Sequence, residues 1–199
     1  AHLQAGAIHM GAARTGAFVL GLFDTGLAVV RSLARAGIPV SGFDSDVTEP
    51  GFRSRYGTHL ACPDPADDPA AFAQVIVERA RQCAAPPIIY PTADRFVRFV
   101  SDYRESLEPY VVHALPSRQA VAGALDKRQQ YLRGVAGGVP VMPTYWPATA
   151  RELSDLAEDL SFPAIVKPVQ GRILEAPFRG AKALHAGGVD ELLRLFEPI

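Results

Sequence analysis

The first part of the chain alternates between short apolar runs and stretches with helical periodicity. The apolar runs that we interpret as buried strands are residues 17–22, 38–43, 59–62, 87–90 and 111–114. Between them, apolar side chains recur at helical spacing in stretches that begin near residues 26, 69 and 94. Strands that alternate with helices in this way predict an α/β fold with a doubly wound, mainly parallel, Rossmann-like sheet.

A second pattern begins after residue 116. The stretch 117–136 has helical periodicity, and we predict a break in it near Gly123. Farther along, two short apolar runs that end at Lys167 and His185 predict strands, and a final helix is predicted over 189–196. The predicted strands are fewer here and the connections are longer, which favours a small α+β unit.

These two patterns divide the chain into predicted domains. Residues 16–118 are expected to form the Rossmann-like domain, and residues 119–199 the smaller α+β unit. Residues 1–15 show no hydrophobic period, so we interpret them as an unstructured extension.

Composition and charge exclude several classes of protein. Hydrophobic residues make up 48% and charged residues 21% of the chain, as in ordinary globular proteins. The net charge is -1 and no basic stripe is interleaved with aromatic residues, so we expect no nucleic acid among its partners. The longest apolar run, 16–23, is too short to span a bilayer, so we expect no membrane association. Cys62 and Cys83 lack the spacing of metal or redox motifs, which favours free thiols in a cytoplasmic protein.

The distribution of basic residues is uneven. The chain has seventeen arginines but only three lysines, Lys127, Lys167 and Lys182, and all three lie beyond residue 126. A chain that strongly prefers arginine is expected to keep lysine where a compact point charge is needed. Lys167 ends an apolar run and has no acidic residue within four positions, so a phosphate-bearing ligand is one hypothesis for its partner. The alternatives are a strand-end lysine that extends into water and a chance cluster.

Acidic residues follow three of the predicted strands. Asp24, Asp44 and Asp94 all come just after a strand, at the edge of a doubly wound sheet where ligands bind. Such acids either cap the following helix or accept hydrogen bonds from the amine or hydroxyl groups of a ligand. We expect Asp24 to be a helix cap.

Five short motifs in order resemble one family. They are Gly-Leu-Phe-Asp-Thr-Gly from Gly21, Ile-Ile-Tyr-Pro-Thr-Ala-Asp ending at Asp94, Leu-Asp-Lys-Arg around Lys127, Gly-Val-Pro-Val-Met-Pro-Thr from Gly138, and Phe-Pro-Ala-Ile-Val-Lys-Pro around Lys167. Together they resemble the amino-terminal half of ATP-grasp ligases, most closely the carboxylate-amine ligase-like branch that includes D-aspartate ligases. The resemblance extends over nearly everything from 17 to 199. It implies a pre-ATP-grasp domain followed by the first ATP-grasp subdomain.

The resemblance also implies roles for individual residues. Lys127 and Lys167 match the two lysines that reach ATP in this family, and Asp94 matches an acid near the substrate. The loop after Lys167 matches a flap over the phosphates. We assign Arg172 and Arg179 of this loop, and Lys182 just beyond it, as further nucleotide-binding residues. The implied activity converts a carboxylate to an acyl phosphate, which an amine then attacks. ATP and Mg²⁺ are the implied cofactors, small carboxylates and amines are the implied substrates, and a homodimer is compatible with this assignment.

The sequence departs from the family pattern in two respects. The flap over 169–180 contains only Gly171 and Gly180 and is crowded with arginine, so its arginines are expected to replace backbone N–H groups as phosphate contacts. The family's Mg²⁺-binding acids would lie beyond Ile199, and no spacing in the chain supplies a metal site. We therefore predict that this polypeptide alone is not catalytically active.

Two other functional hypotheses remain open. The segment from Gly21 to Gly26 partly matches the glycine-rich turn of NAD(P)-binding Rossmann domains, and Asp44 lies about where a ribose-binding acid would. Phe23, however, occupies the position of the glycine that lets the backbone approach the pyrophosphate. The third hypothesis is an α/β binding module without catalytic activity.

Overall fold

The computed structural model describes residues 15–168 and 183–196. The chain separates into two compact units, Ala1–Val121 and Ala122–Ile199, and each is considered by itself. The assignment of a pre-ATP-grasp domain and a first ATP-grasp subdomain stays a prediction.

The first unit is built on a parallel sheet. Its strands are β1 (Ala17–Leu20), β2 (Val40–Asp44), β3 (Thr58–Ala61) and β4 (Ile88–Pro91). Their order is β3-β2-β1-β4, and each neighbouring pair is parallel. The predicted α/β class with a mainly parallel sheet is therefore confirmed.

Helices cover both faces of this sheet. They are α1 (Asp24–Arg35), α2 (Pro69–Arg81), α3 (Asp94–Asp102) and the short α4 (Arg104–Leu107). Alternate residues of β1 pack into two separate hydrophobic cores, since successive side chains of a strand point to opposite faces of the sheet. Phe18 and Leu20 pack in one core with α2 and α3, whereas Val19 packs in the other core with Val30 of α1. With a hydrophobic core and helices on each face, the sheet is doubly wound.

The link between β2 and β3 contains a short 3-10 helix, Pro50–Arg53, that the hydrophobic pattern did not predict. Its Gly51 N–H donates to the Leu22 carbonyl oxygen at 2.9 Å. A Cβ atom at Gly51 would lie 2.7 Å from Leu22 Cβ, so this approach requires glycine. Proximity of this kind is a tertiary property and leaves no periodic signal in the sequence.

The fifth strand predicted over 111–114 is not present as a strand. Only Val112 joins the sheet, through an isolated parallel bridge to Ile88. The Leu115 N–H donates to His113 Nδ1, which turns the chain away from the sheet directly after the bridge. Val112 itself makes ladder hydrogen bonds, donating to the Pro87 carbonyl oxygen and accepting the Ile89 N–H, but the pairing ends at this one residue.

The second unit contains helices around an antiparallel strand pair. The described elements are α5 (Arg118–Leu125, which straddles the division), α6 (Lys127–Ala136), α7 (Ala150–Leu156), a 3-10 helix (Ala157–Asp159), β5 (Ala164–Val166), β6 (Leu184–Ala186) and α8 (Val189–Phe196). Strands β5 and β6 pair in antiparallel register. Leu153, Ala186 and Leu192 form the small core that joins α7, β6 and α8.

The break in the helical stretch 117–136 lies at Asp126 and not near Gly123, where we predicted it. The Asp126 carboxylate accepts the Gln129 N–H at 2.9 Å and so starts a new helix. Gly123 stays helical, and a Cβ atom there would lie 2.4 Å from the Arg133 guanidinium. This glycine therefore makes room for a side chain from the next helix.

None of the helices in the described ranges combines the length and the apolar character that crossing a membrane requires.

We predict that Gly26→Ala destabilises the first unit by about 2 to 3 kcal/mol, because the added methyl overpacks a site closed by backbone. A Cβ atom at Gly26 would lie 1.8 Å from the Gly21 carbonyl oxygen. Gly16→Ala is the matched control, since its nearest atom would be the Pro39 carbonyl oxygen at an ordinary 3.4 Å. Urea unfolding of both variants measures the difference, and equal midpoints would contradict the close approach at Gly26.

Candidate functional site

The strand order defines a topological switch point at the carboxyl edge of the sheet. From β1 the chain proceeds outward to β2 and β3 and then returns to place β4 on the other side of β1. Leu20 at the end of β1 pairs with Pro91 at the end of β4. In open α/β sheets ligands bind at this topological switch point, beyond the carboxyl ends of the strands. The candidate site of the first unit is therefore the crevice between the segments that follow β1 and β4.

The turn after β1 is held rigidly. Gly21 has φ +95°, and a Cβ atom there would lie 2.6 Å from Thr92 Oγ1. The Thr92 hydroxyl group lies 2.9 Å from the Leu20 carbonyl oxygen and 3.1 Å from that of Gly21, and it donates to this pair. Because this hydroxyl joins the two segments across the switch point, the floor of the crevice is fixed before any ligand binds.

The Asp44 carboxylate is committed to the structure. Asp44 is 1% exposed, and its Oδ2 atom accepts the Leu22 N–H at 2.7 Å. Its Oδ1 atom accepts the Ser45 N–H at 2.8 Å and the Arg95 guanidinium, also at 2.8 Å. The sequence left two roles open for this acid, a helix cap or a ligand-binding group. Asp44 does not cap a helix, and both of its carboxylate oxygens already accept hydrogen bonds from the protein.

Arg95 joins three segments of the first unit. Besides Asp44, its guanidinium approaches Asp64 at 3.6 Å, and its side chain is 27% exposed. The same group lies 4.7 Å from the ring centroid of Phe96, in cation–π geometry. The pair of Arg95 and Asp64 was missed by sequence reasoning, because the partners lie far apart along the chain and no local spacing connects them.

Asp24 and Asp94 are the exposed acids beside the crevice. Each is the first residue of its helix, α1 and α3 respectively, and neither side chain makes a hydrogen bond or ion pair within the described residues. The expectation that Asp24 caps its helix is wrong, since Phe23 holds the cap position and makes no side-chain hydrogen bond. The helix dipole favours a negative charge at both places. Both carboxylates are therefore free to accept hydrogen bonds from an amine or hydroxyl group.

Further acids lie near the end of β2. Burial raises the pKa of Glu49, and the negative charges of Asp44 and Asp46 add to this. Hydrogen bonds from Thr48 lower the pKa of Asp46. Within residues 15–168 and 183–196, no three acidic, histidine or cysteine side chains are grouped so that they could hold a metal ion.

In the second unit Lys127 is exposed and is the first residue of α6. The neighbouring Asp126 does not pair with it, because its carboxylate caps the helix through the Gln129 N–H. Lys127 forms no ion pair with any residue in the described part of the chain.

Lys167 is exposed and directly follows β5. Its ammonium group likewise pairs with no described carboxylate. The predicted flap over 169–180, with Arg172 and Arg179, lies outside the described residues, and so does Lys182. The predicted roles of all five basic residues stay predictions.

Comparison with known proteins places this fold among ATP-grasp enzymes. The chain is 27% identical over 177 residues to formate-dependent phosphoribosylglycinamide formyltransferase of Corynebacterium jeikeium, a match that covers 87% of the chain and 39% of that protein. The ADP complex of N5-carboxyaminoimidazole ribonucleotide synthetase matches with a TM-score of 0.66 at 13% identity, over 92% of this chain and 44% of that one. The L-amino acid ligase of Bacillus licheniformis matches with a TM-score of 0.63 at 15% identity, over 94% and 42%.

No protein-family model matches the chain. The chain spans less than half the length of each of these relatives. The resemblance to the amino-terminal half of ATP-grasp ligases is confirmed at the level of the fold.

We predict that Arg95→Ala destabilises the first unit by about 2 to 3 kcal/mol, because it leaves the Asp44 carboxylate buried without its cation; the partial exposure of Arg95 keeps the loss below that of a fully buried pair. Arg98→Ala is the control, since Arg98 lies exposed on the same helix. Chemical denaturation measures both variants. An equal, small loss in the two would show that the contact with Asp44 contributes nothing to stability.

We predict that the Cys62 thiol reacts slowly in the native state. Burial raises its pKa to about 12, and the negative charges of Asp44 and Asp64 contribute. Since the thiolate is the nucleophile, alkylation at pH 8 should be about a thousandfold slower than for a thiol of ordinary pKa. Cys83→Ser leaves Cys62 as the only thiol of the chain, so iodoacetamide labelling with and without urea measures its rate directly. Equal rates in both conditions would contradict this environment.

Proposed function

We propose that the chain is the ATP-binding portion of an ATP-grasp ligase that activates a carboxylate as an acyl phosphate for attack by an amine. The observation that carries the proposal is that two lysines of the second unit, Lys127 and Lys167, are exposed and form no ion pair with any described residue. The fold relatives support it, since one binds ADP and another is an L-amino acid ligase.

The position of Lys127 favours a role in anion binding. A cation in the first turn of a helix is opposed by the helix dipole, at a cost of about 0.3 to 1 kcal/mol. No described contact offsets this cost, because Asp126 is occupied with capping. The same helix end attracts phosphate, which its free N–H groups and the Lys127 ammonium would bind together.

Lys167 is suited to the same ligand. Its strand β5 is fixed by antiparallel pairing with β6, so the start of the lysine side chain has a defined position. An ammonium group is a point charge with three donors, which fits a phosphate group approached from several directions. We propose that Lys127 and Lys167 both bind ATP phosphates, with Arg172, Arg179 and Lys182 as further contacts.

The proposed reaction transfers the γ-phosphoryl group of ATP to a carboxylate oxygen and releases ADP. The amine then attacks the carbonyl carbon of the acyl phosphate, forms an amide bond, loses a proton and displaces inorganic phosphate. Cations near the polyphosphate stabilise the charge that develops during transfer. We assign Asp94 to the substrate, because its exposed carboxylate beside the switch point can accept a hydrogen bond from an amine or hydroxyl group.

Mg²⁺ is the metal that such a transfer requires. The described residues do not fit it, since they offer no group of acidic ligands. We therefore derive no step through the metal and propose that its ligands belong to the portion of the relatives that this chain does not match. Accordingly, we expect the chain by itself to bind nucleotide without turnover.

Dinucleotide binding is the second candidate function, and two observations weigh against it. A ribose-binding acid must have a free oxygen for the ribose hydroxyl groups. Both oxygens of Asp44 already accept protein hydrogen bonds, and one of these ties it to the turn at Leu22. Phe23, where the fingerprint needs glycine, has a side chain that is 60% exposed beside that turn.

We predict that ATP raises the melting temperature of the chain and that NAD⁺ does not. A ligand at a hundredfold excess over its dissociation constant stabilises the native state by about 2.7 kcal/mol. Lys127→Ala combined with Lys167→Ala should abolish the shift, because both phosphate contacts are lost. Arg151→Ala is the control, since this exposed arginine of the same unit has no assigned role. Differential scanning fluorimetry with ATP, ADP and NAD⁺ provides the measurement.

Each contrary outcome has a defined meaning. A larger shift with NAD⁺ than with ATP would favour a dinucleotide-binding domain. An unchanged ATP shift in the double lysine variant would refute the site assignment. If no nucleotide shifts the melting temperature, the chain is better described as a binding module without a nucleotide site.

A further inference from the structure

The first unit contains a basic hollow that the proposed ligase function does not use. Its volume is about 430 Å³, and it is lined by Arg31, Arg35, Arg53, Ser54, Arg55 and Tyr56. Volumes of this size are typical of sites for small molecules. Four arginines therefore converge on one hollow formed by α1 and the link that leads from β2 to β3.

The backbone that carries these arginines is anchored. Phe52 and Tyr56 pack against the core cluster of Val19 and Val30, so Arg53 and Arg55 lie between two residues that are held by the core. After Tyr56, Gly57 has φ +79°, and a Cβ atom there would lie 2.8 Å from the Val40 carbonyl oxygen. This segment has a defined path, which positions its arginines before any ligand binds.

The hollow lies away from the candidate site described above. Arg35 ends α1, whose first residues adjoin the carboxyl edge of the sheet. Gly57 lies against Val40, which begins β2 and so marks the opposite, amino-terminal edge. A ligand in the hollow would therefore be separate from one at the switch point.

No carboxylate of the described residues compensates the positive charge of the hollow. None of its four arginines forms an ion pair with a carboxylate in the described ranges. Arg31 and Arg35 are four residues apart on α1, a spacing at which like charges repel each other. The helix dipole explains a basic residue at Arg35, in the last turn, but it does not explain Arg53 and Arg55 on the facing segment.

Tyr56 arranges two of the guanidinium groups. The Arg35 and Arg55 guanidinium carbons lie 5.7 Å and 5.1 Å from its ring centroid. Arg55 Nη2 also donates to the Tyr56 hydroxyl oxygen at 3.2 Å. Stacked and hydrogen-bonded guanidinium groups keep N–H donors directed outward, in the fork geometry that binds carboxylate or phosphate oxygens.

We propose that this hollow binds a compact polyanion, a small molecule that carries several phosphate or carboxylate groups. Its charges supply the acidic partners that the described residues do not provide for the four arginines, and its oxygens accept their paired N–H donors. None of the residues that line the hollow is among those assigned to ATP, whose lysines belong to the second unit.

The test uses the full chain with Lys127→Ala and Lys167→Ala, which removes the two lysine contacts of the proposed nucleotide site without touching the hollow. Inorganic tripolyphosphate and citrate are the probes, and isothermal titration calorimetry gives affinity and stoichiometry. We expect one of the two probes, or both, to bind with a stoichiometry of one. The comparison between them tells whether phosphate or carboxylate oxygens are preferred.

Two double variants remove opposite halves of the hollow. Arg35→Ala with Arg55→Ala deletes the pair stacked on Tyr56, and Arg31→Ala with Arg53→Ala leaves that pair intact. Each should weaken probe binding at least tenfold. Should one of them fail to fold, the other still gives the answer.

The matched control is Arg98→Ala with Arg151→Ala, which removes the same charge from exposed arginines elsewhere. It should change the affinity less than twofold. An equal loss in the control would reveal attraction by overall charge and overturn the proposal. The absence of binding by both probes would also overturn it, as would tighter arginine-dependent binding of a short single-stranded oligonucleotide.

Discussion

The buried carboxylate of Asp44 is the interaction on which the carboxyl edge of the sheet depends. It receives one N–H from the turn after β1, another from the end of β2 and a guanidinium from α3. These three segments come from distant parts of the chain, and an ionised acid inside the protein is stable only when such partners surround it. A charge that would be costly alone therefore fixes the geometry of the crevice, because each partner must be in place for the acid to be satisfied.

Three acids lie at the ends of strands β1, β2 and β4, and their exact positions decide whether each has a structural role or is available to a ligand. Asp44 ends the inner strand β2 and lies under the turn, where backbone donors reach it. Asp24 and Asp94 each lie a few residues after the end of a strand, as the first residue of a helix, and their side chains are exposed. The same residue type at the same edge is structural in one case and available to a ligand in the other two.

The two kinds of basic residue also differ in their surroundings. Several arginines make structural contacts, as Arg95 does with Asp44 and Arg118 with Glu105, which exploits the planar fork of the guanidinium. The two described lysines are exposed and make no such contact. The four arginines around Tyr56 resemble the lysines in having no ion-pair partner among the described residues, and for this reason we propose them as a binding site.

The sequence by itself determined the elements and their class. Short apolar runs and period-3.6 patterns are local properties, and they correctly indicated β1 to β4 and helices α1 to α3. Family-like motifs also predicted the ATP-grasp fold, which the structural relatives confirm. Tertiary structure alone decided the rest: the bridge that replaced a fifth strand at Val112, the commitment of Asp44 to Arg95, and the hollow around Tyr56. Each of these depends on groups far apart in the chain that meet only after folding, and no local pattern encodes such a meeting.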